Sequence, residues 1–328
     1  MAFLNSLFLG TPLWAWLGFL AVVAALLTFD LGVLHRKRRE IGVRESVALS
    51  AMYVALGLTF GAALWWWRGA DDGLAYLTGF VVEKSLAMDN VFVIAMIFAY
   101  FAVPRIHQHR VLFWGVLGVI VLRAIMIGVG ATLIERFSWT LYLFAAFLIA
   151  TGVKMWLTAD RTYDVGSSPV LAWITRRFRV TDTLEGERFV VHRTDPATGR
   201  VRRYATPLLV ALIMIEVADV IFAVDSVPAI FAITTDPFIV YTSNIFAILG
   251  LRALYFALAA MVERFHALKY ALAALLVFIG SKIFVADMFG LAKIPPAVSL
   301  GATFAILGTG VAWSVWSTRK RTISPAPS

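Results

Sequence analysis

Residues 83–91 read Glu-Lys-Ser-Leu-Ala-Met-Asp-Asn-Val, and residues 219–227 read Asp-Val-Ile-Phe-Ala-Val-Asp-Ser-Val. Each segment places two carboxylates six residues apart inside apolar sequence that is long enough to cross a membrane. A charged side chain at the centre of a bilayer costs about 2.5–3.5 kcal/mol even on the insertion scales that give the lowest values. An ion or proton path is therefore the first function that these acids suggest.

The composition indicates a polytopic helical membrane protein. Of the 328 residues, 61% are hydrophobic and 15% are charged, and the mean hydropathy is +0.84. A net charge of +9 would suggest nucleic-acid binding in a soluble protein. Here the basic residues cluster at the ends of apolar runs, where they set membrane topology, so we expect no nucleic-acid partner. The chain has no cysteine, which excludes disulfides, thiolate metal ligands and thiol redox chemistry.

Nine apolar segments reach the length of about 20 residues that a spanning helix needs. They are residues 12–34, 46–67, 73–100, 111–134, 139–158, 205–234, 241–262, 267–287 and 295–316. We therefore expect an all-α fold with about nine transmembrane helices in the lipid bilayer. Basic residues at 35–39 follow the first span and recur in every second loop, which predicts an outside N-terminus and a cytoplasmic C-terminus. The expected location is a bacterial-type inner (cytoplasmic) membrane.

The whole chain, residues 1–328, is predicted to form a single transmembrane domain. Its one longer soluble stretch, residues 159–204, is too short for an independent core and is interpreted as a cytoplasmic linker. Residues 168–179 predict a helix at the membrane interface, and residues 189–193 and 200–204 predict a small hairpin.

The two acidic segments open an internal repeat. Leu122-Arg123-Ala124 matches Leu251-Arg252-Ala253, and Gly152-Val153-Lys154 matches Gly280-Ser281-Lys282. The predicted topology sends the third span inward and the sixth outward, so residues 73–158 and 205–287 form inverted three-helix halves (spans 3–5 and 6–8). Inverted repeats are typical of secondary transporters, whose sites lie near the membrane midplane between the halves.

The intramembrane acids are the predicted metal ligands: Glu83, Asp89, Glu216, Asp219 and Asp225. Additional ligands could come from Asn90, Met88, Ser226 and Asn244. Oxygen donors suit Mg²⁺, Ca²⁺ and Mn²⁺, and a thioether ligand would favour Mn²⁺ among these. Groups expected to compensate charge or act as a gate are Arg123, Arg252, Lys154 and Lys282. Asp30, at the end of the first span, is a candidate vestibule acid.

Side chains six residues apart on a straight helix lie about 120° and about 9 Å apart, so one helix cannot aim both acids of a pair at one ion. Pro228, three residues after Asp225, would also remove a backbone hydrogen bond. We therefore expect local unwinding near the acids, with freed carbonyl groups as further ligands.

The acidic segments resemble the hallmarks of the TerC family of integral membrane proteins, the Alx type among them. Residues 83–93 are similar to the first hallmark, and residues 216–230 with 242–255 are similar to the second. The resemblance covers nearly the whole chain. It implies membership of a LysE-like superfamily of small-solute exporters, manganese export and a historical link to tellurium resistance.

The expected function is export of a divalent cation, foremost Mn²⁺, by proton-coupled alternating access. Mn²⁺ is then the transported substrate, no cofactor is expected, and protons are the expected coupling partner. Alternatives are another dication such as Ca²⁺, a non-transporting scaffold or stress-response subunit, and acids neutralised by internal salt bridges. An intramembrane aspartyl protease is not expected, because its Gly-x-Gly-Asp signature is missing. Protein partners stay open.

Overall fold

A computed structural model describes residues 3–34, 42–159, 164–194, 199–258, 268–290 and 294–323. The basic cluster predicted at 35–39 and the end of the predicted span 241–262 lie outside these residues. The described chain is almost entirely helical. Its helices are α1 (Leu13–Leu34), α2 (Val43–Arg68), α3 (Ala70–Tyr100), α4 (Arg105–Arg136), α5 (Thr140–Leu157), α6 (Pro169–Arg177), α7 (Pro207–Phe231), α8 (Pro237–Leu249), α9 (Leu251–Leu258), α10 (Leu268–Met288) and α11 (Pro296–Ile323).

Two short antiparallel hairpins accompany the helices. Strands β1 (Leu7–Phe8) and β2 (Thr11–Pro12) precede α1, and a 3₁₀ turn at Phe3–Asn5 comes before them. Strands β3 (Val190–Thr194) and β4 (Val201–Ala205) pair where the sequence predicts a hairpin. The connector between the halves also contains α6, which buries Leu171 and Ile174 and packs against α7.

Among the described residues, seven helices are long and apolar enough to cross a membrane: α1, α2, α4, α5, α7, α10 and α11. Helices α8 and α9, with a bend of 40° between them, pass the same test as a pair and bring the number to eight if the pair is one span. The remaining predicted span, the third (residues 73–100), corresponds to α3, an unbroken helix of 31 residues. Every 18-residue window of α3 contains at least three charged side chains, because Glu83, Lys84 and Asp89 lie in its middle. The count of nine spans therefore depends on α3 and stays a prediction.

The predicted unwinding near the acids is wrong: α3 and α7 run unbroken through both acidic segments, and α7 accommodates Pro228 in its last turn. The break instead lies at Gly250, between α8 and α9. There the Lys84 ammonium group donates a hydrogen bond to the Ala247 carbonyl oxygen at 2.9 Å, which satisfies one carbonyl group at the end of α8. A cation at a helix C-terminus also interacts favourably with the helix dipole.

The helices that carry the repeat pack against each other in antiparallel pairs. Gly152, late in α5, faces Ala273, early in α10, whereas Gly280, late in α10, faces Ala145, early in α5. A Cβ atom added at Gly152 would lie 2.7 Å from the Ala273 carbonyl oxygen, and one at Gly280 would lie 2.6 Å from that of Ala145. The two matched glycines therefore permit one close backbone crossing, as small residues do in membrane helices.

The two acid-bearing helices show the same relation. Gly79, early among the core residues of α3, faces Ile230 near the end of α7, and Asn90, later in α3, contacts Asp219, earlier in α7. Helix α3 also packs against α8, and α4 packs against α7. The first helix of each half, α3 or α7, thus packs against helices of the other half.

Replacing Gly152 with alanine should lower the melting temperature of the detergent-purified protein. The added methyl group meets backbone atoms that cannot rotate away, and overpacking of this kind costs about 1–3 kcal/mol. The matched control is Gly128→Ala, because no atom lies within 4 Å of a Cβ atom added at Gly128. Equal melting temperatures for both variants would contradict the close crossing.

Candidate functional site

The centre of the site is the guanidinium group of Arg123, on α4, which is completely buried. Its Nη1 atom lies 2.8 Å from Oε1 of Glu83 on α3, and its Nε and Nη2 atoms each lie 3.3 Å from a carboxylate oxygen of Asp219 on α7. Nη1 also donates to the Ser226 hydroxyl oxygen at 2.6 Å and to the Asn244 amide oxygen at 3.3 Å. One arginine therefore links α3, α4, α7 and α8.

This network is not fully satisfied by its own members. Asn90 donates from Nδ2 to Asp219 at 3.3 Å. Among the described residues, Oε2 of Glu83, Oδ1 of Asn90 and Nδ2 of Asn244 are buried and have no hydrogen-bond partner. Two carboxylates also face one guanidinium group, so the network carries an excess of negative charge if both are ionised. Buried oxygen atoms in this condition have unused capacity to bind a cation or a proton donor.

A cavity of about 250 Å³ extends from this network. Glu83, Asn90, Arg123 and Ser226 line its deep end. Asp89, Asp225, Thr151 and Lys154 line it as well, and Thr151 and Lys154 lie beside the Asp225 carboxylate. Sequence reasoning missed Thr151, although its position one helical turn before Lys154 places both on the same face of α5.

Glu216 lies apart from this cavity. Its carboxylate rests directly on Gly118 of α4, where an added Cβ atom would lie 2.2 Å from Oε1. Its Oε2 atom is buried without a hydrogen-bond partner among the described residues. Glu216 is one turn before Asp219 on α7, so the predicted shared face of these two acids is present.

Arg252, the repeat counterpart of Arg123, binds a different acid. It forms an ion pair with Asp30 of α1, and Tyr53 of α2 lies beside that pair. Asp30 is thus the buried partner of an arginine, and its role as a vestibule acid stays a prediction. Arg252 also lines a small cavity of about 20 Å³ together with Asn90 and Asp219. Arg123 thus binds Asp219 directly, whereas Arg252 shares only the lining of this cavity with it.

The remaining predicted residues divide between the cavity and other surroundings. Lys154 lines the acidic cavity, whereas the Lys282 ammonium group donates to the Ser299 hydroxyl oxygen of α11 at 2.9 Å. Met88 packs among apolar side chains and does not line the cavity. A thioether ligand from Met88 is therefore not available in this conformation.

The five predicted metal ligands do not form one cage in this conformation. In the part of the chain that the structure describes, no group of three His, Asp or Glu side chains is close enough together to hold a metal ion. The guanidinium group of Arg123 stands between Glu83 and Asp219, and Glu216 lies outside the cavity. Because α3 and α7 stay helical, the second acid of each pair is also about 9 Å further along its helix.

A second polar cavity, of about 560 Å³, lies along the same four helices α3, α5, α7 and α10, and α11 borders it too. Its charged lining residues are Asp71, Asp72, Lys282 and Asp287. Between the positions that line the two cavities, each of the four helices contributes a buried apolar side chain. This apolar layer consists of Val82, Leu148, Ala229 and Ile279.

Replacing Arg123 with glutamine should strongly destabilise the protein, because Glu83 and Asp219 then remain buried without a counter-charge. Removing one partner of a buried ion pair costs about 3–5 kcal/mol. The double variant Arg123→Gln/Glu83→Gln should recover part of the lost melting temperature, since it removes one of the two orphaned charges. As a control, Arg110→Gln breaks an exposed ion pair with Glu187 at 3.5 Å and should cost at most about 1 kcal/mol. A double variant no more stable than the single one would contradict this network.

Comparison with known proteins identifies the family. The chain matches the family model "Integral membrane protein TerC family" over residues 68–322. It is 49% identical over 321 residues to the "Putative membrane-bound redox modulator Alx" of Salmonella typhi, covering 95% of this chain and 97% of that relative. The protein of the same name from Escherichia coli K12 is 51% identical over 307 residues, with 91% and 92% covered. An uncharacterized membrane protein of Myxococcus xanthus is 45% identical over 311 residues, with 95% of both chains covered. No solved structure matches. The chain is therefore a multi-pass membrane protein that belongs to the TerC family, as the resemblance predicted.

Proposed function

We propose that this protein exports divalent metal cations, foremost Mn²⁺, from the cytoplasm through the acidic cavity. The observation that carries the proposal is the cavity itself, whose lining includes Glu83, Asp89 and Asp225 from two antiparallel membrane helices. Carboxylate, amide and hydroxyl oxygen atoms dominate its polar lining, and these donors suit Mn²⁺, Mg²⁺ and Ca²⁺.

The charges of the site support a doubly charged substrate. Four carboxylates belong to the cavity or to the Arg123 network: Glu83, Asp89, Asp219 and Asp225. Two bases, Arg123 and Lys154, face them there, so full ionisation leaves a deficit of two positive charges. Lys269 is close to Asp89 but lies outside the cavity, where its ammonium group donates to the Ala159 carbonyl oxygen at 3.2 Å.

Alternating access gives the substrate a route across the membrane. The two polar cavities follow the same four helices and are separated by the apolar layer, so one conformation need not connect both sides. The antiparallel pairs α3 with α7 and α5 with α10 support an inverted repeat, in which the halves exchange their conformations. In the proposed orientation the N-terminus lies outside, the C-terminus lies in the cytoplasm, and the acidic cavity serves the cytoplasmic side.

Binding of the cation requires the Arg123 guanidinium group to release at least one acid. Glu83 is then free to ligate the ion with the unpaired oxygen atom that it already directs into the buried network. Carboxylates that take up protons once the cation has left would couple export to proton entry.

The name of the Alx relatives refers to redox modulation. Because this chain has no cysteine, any such effect here would act through the transported ion rather than through its own thiols.

Purified protein in liposomes that contain a metal-sensing dye should take up Mn²⁺ faster than protein-free liposomes do. Asp89→Asn and Asp225→Asn should each reduce the initial rate at least about tenfold, since each removes a cavity ligand worth more than 1.4 kcal/mol of binding. The matched control is Glu135→Gln, which removes an exposed acid at the end of α4. Parallel measurements with Ca²⁺, Mg²⁺ and Zn²⁺ determine the metal preference. Equal rates for the control and both cavity variants would remove this proposal.

Proton coupling predicts a second result in the same liposomes. With equal Mn²⁺ concentrations on both sides, an imposed pH gradient should drive Mn²⁺ toward the more acidic compartment, because exchange moves protons the opposite way. A protonophore should abolish this accumulation. If neither the pH gradient nor the protonophore changes the Mn²⁺ flux, proton coupling is contradicted and Mn²⁺ transport is not.

A further inference from the structure

The two arginines that match in the sequence repeat have different partners in the structure. In the repeat, Glu83 corresponds to Asp219, Asn90 corresponds to Ser226, and Arg123 corresponds to Arg252. Arg123 binds Glu83 of its own half and Ser226 and Asp219 of the other half. Arg252 makes none of the equivalent hydrogen bonds and is paired with Asp30 of α1, a helix outside the repeat.

Arg252 nevertheless lines the same cavity as the partners that the repeat assigns to it. The small cavity that it lines is shared with Asp219 and Asn90, which are the counterparts of Glu83 and Ser226. Among the described residues, Nη1 of Arg252 is buried and has no hydrogen-bond partner. The Oδ1 atom of Asn90 is in the same condition. The unpaired donor of Arg252 and the unpaired acceptor of Asn90 therefore belong to residues that line one cavity. Asp219, which Arg123 binds, lines the same cavity.

We propose that Arg252 is a second, competing counter-ion of the site, which takes Asp219 from Arg123 and binds Asn90 when the transporter changes conformation. In the conformation described here, Arg123 neutralises the acids and Asp30 retains Arg252. In the other conformation, Arg252 leaves Asp30 and binds Asp219, while Arg123 is reduced to the acids of its own half. This inference rests on the proposed transport function and concerns how the same site is regulated.

Asp30 is the element that biases this exchange. A buried guanidinium group that loses its carboxylate is strongly destabilised, so Arg252 leaves Asp30 only when another acid receives it. Asp219 is the acid within the shared cavity that can do so. In the proposed exchange, Asp30 contacts Arg252 only in the conformation described here. Its interaction energy with Arg252 therefore stabilises this conformation relative to the second one.

The experiment uses cysteine reporters, since the chain has no cysteine of its own. Leu86→Cys reports on the acidic cavity, and Ala232→Cys reports on the second polar cavity. The rate of reaction with a small maleimide is measured for each reporter in detergent-purified protein, without metal. These rates follow the populations of the two conformations and require no transport.

Asp30→Asn should release Arg252, so it should slow the reaction of the Leu86→Cys reporter and speed that of Ala232→Cys, each by about threefold or more. Arg252→Gln should shift both rates in the opposite direction, because the second conformation loses its counter-ion. The double variant Asp30→Asn/Arg252→Gln should behave like Arg252→Gln. If Arg252→Gln does not yield folded protein, Arg252→Lys should give the same direction with a smaller shift.

A purely structural ion pair predicts a different pattern. Breaking it from either side would then change the rates in the same direction, or not at all, and either result would overturn the exchange. Arg110→Gln, which breaks an exposed ion pair in the same chain, controls for nonspecific effects of charge removal. The outcome is also separate from the liposome assay. If the liposomes show no Mn²⁺ flux but the reporter rates shift in opposite directions, Mn²⁺ transport is contradicted and the exchange of Asp219 between the arginines is supported. If Mn²⁺ flux is intact but both variants shift the rates in the same direction, transport is supported and the exchange is contradicted.

Discussion

A guanidinium group buried among helices imposes the main constraint on this structure. Arg123 has no access to water, so its charge must be met by acids, and those acids come from two different helices. Helices α3 and α7 cannot separate from α4 without leaving an unpaired charge in a medium of low dielectric constant. The bundle is therefore held at its centre by electrostatics, while membrane lipid provides no hydrophobic drive for the helices to associate.

Under the proposed function, the same constraint determines where the cation binds. A cation that enters the acidic cavity competes directly with Arg123 for Glu83, whose second oxygen atom has no partner in the described part of the chain. Immediately before Glu83, Val82 belongs to the apolar layer between the two cavities. The residue that would bind the cation, Glu83, and a residue of the apolar layer, Val82, are therefore adjacent on α3, so a movement of one also moves the other.

The sequence predicted the helical class from its apolar segments and the family from the two acidic hallmarks. It also singled out Glu83, Asp219 and Arg123, because intramembrane charges are rare and costly, and these three side chains meet in the structure. It also matched Gly152 with Gly280, and each of these glycines allows close contact between α5 and α10. The partner of Arg252 could not be predicted, since Asp30 is remote in sequence and α1 has no counterpart in the repeat. The expected unwinding at Pro228 failed because the proline falls in the last turn of α7, where little of the helix remains to be disrupted. Spacing alone likewise could not show that Arg123 would occupy the space between two predicted ligands.

Lys84 gives the hinge at Gly250 a mechanical role. Its ammonium group, on the residue after Glu83, holds the Ala247 carbonyl oxygen three residues before the bend, and Arg252 lies two residues beyond that bend. In the proposed conformational change, a rotation of α3 that carries Glu83 away from Arg123 would also pull on the end of α8, next to the break before Arg252. This hydrogen bond thus connects the surroundings of the two arginines through a few residues.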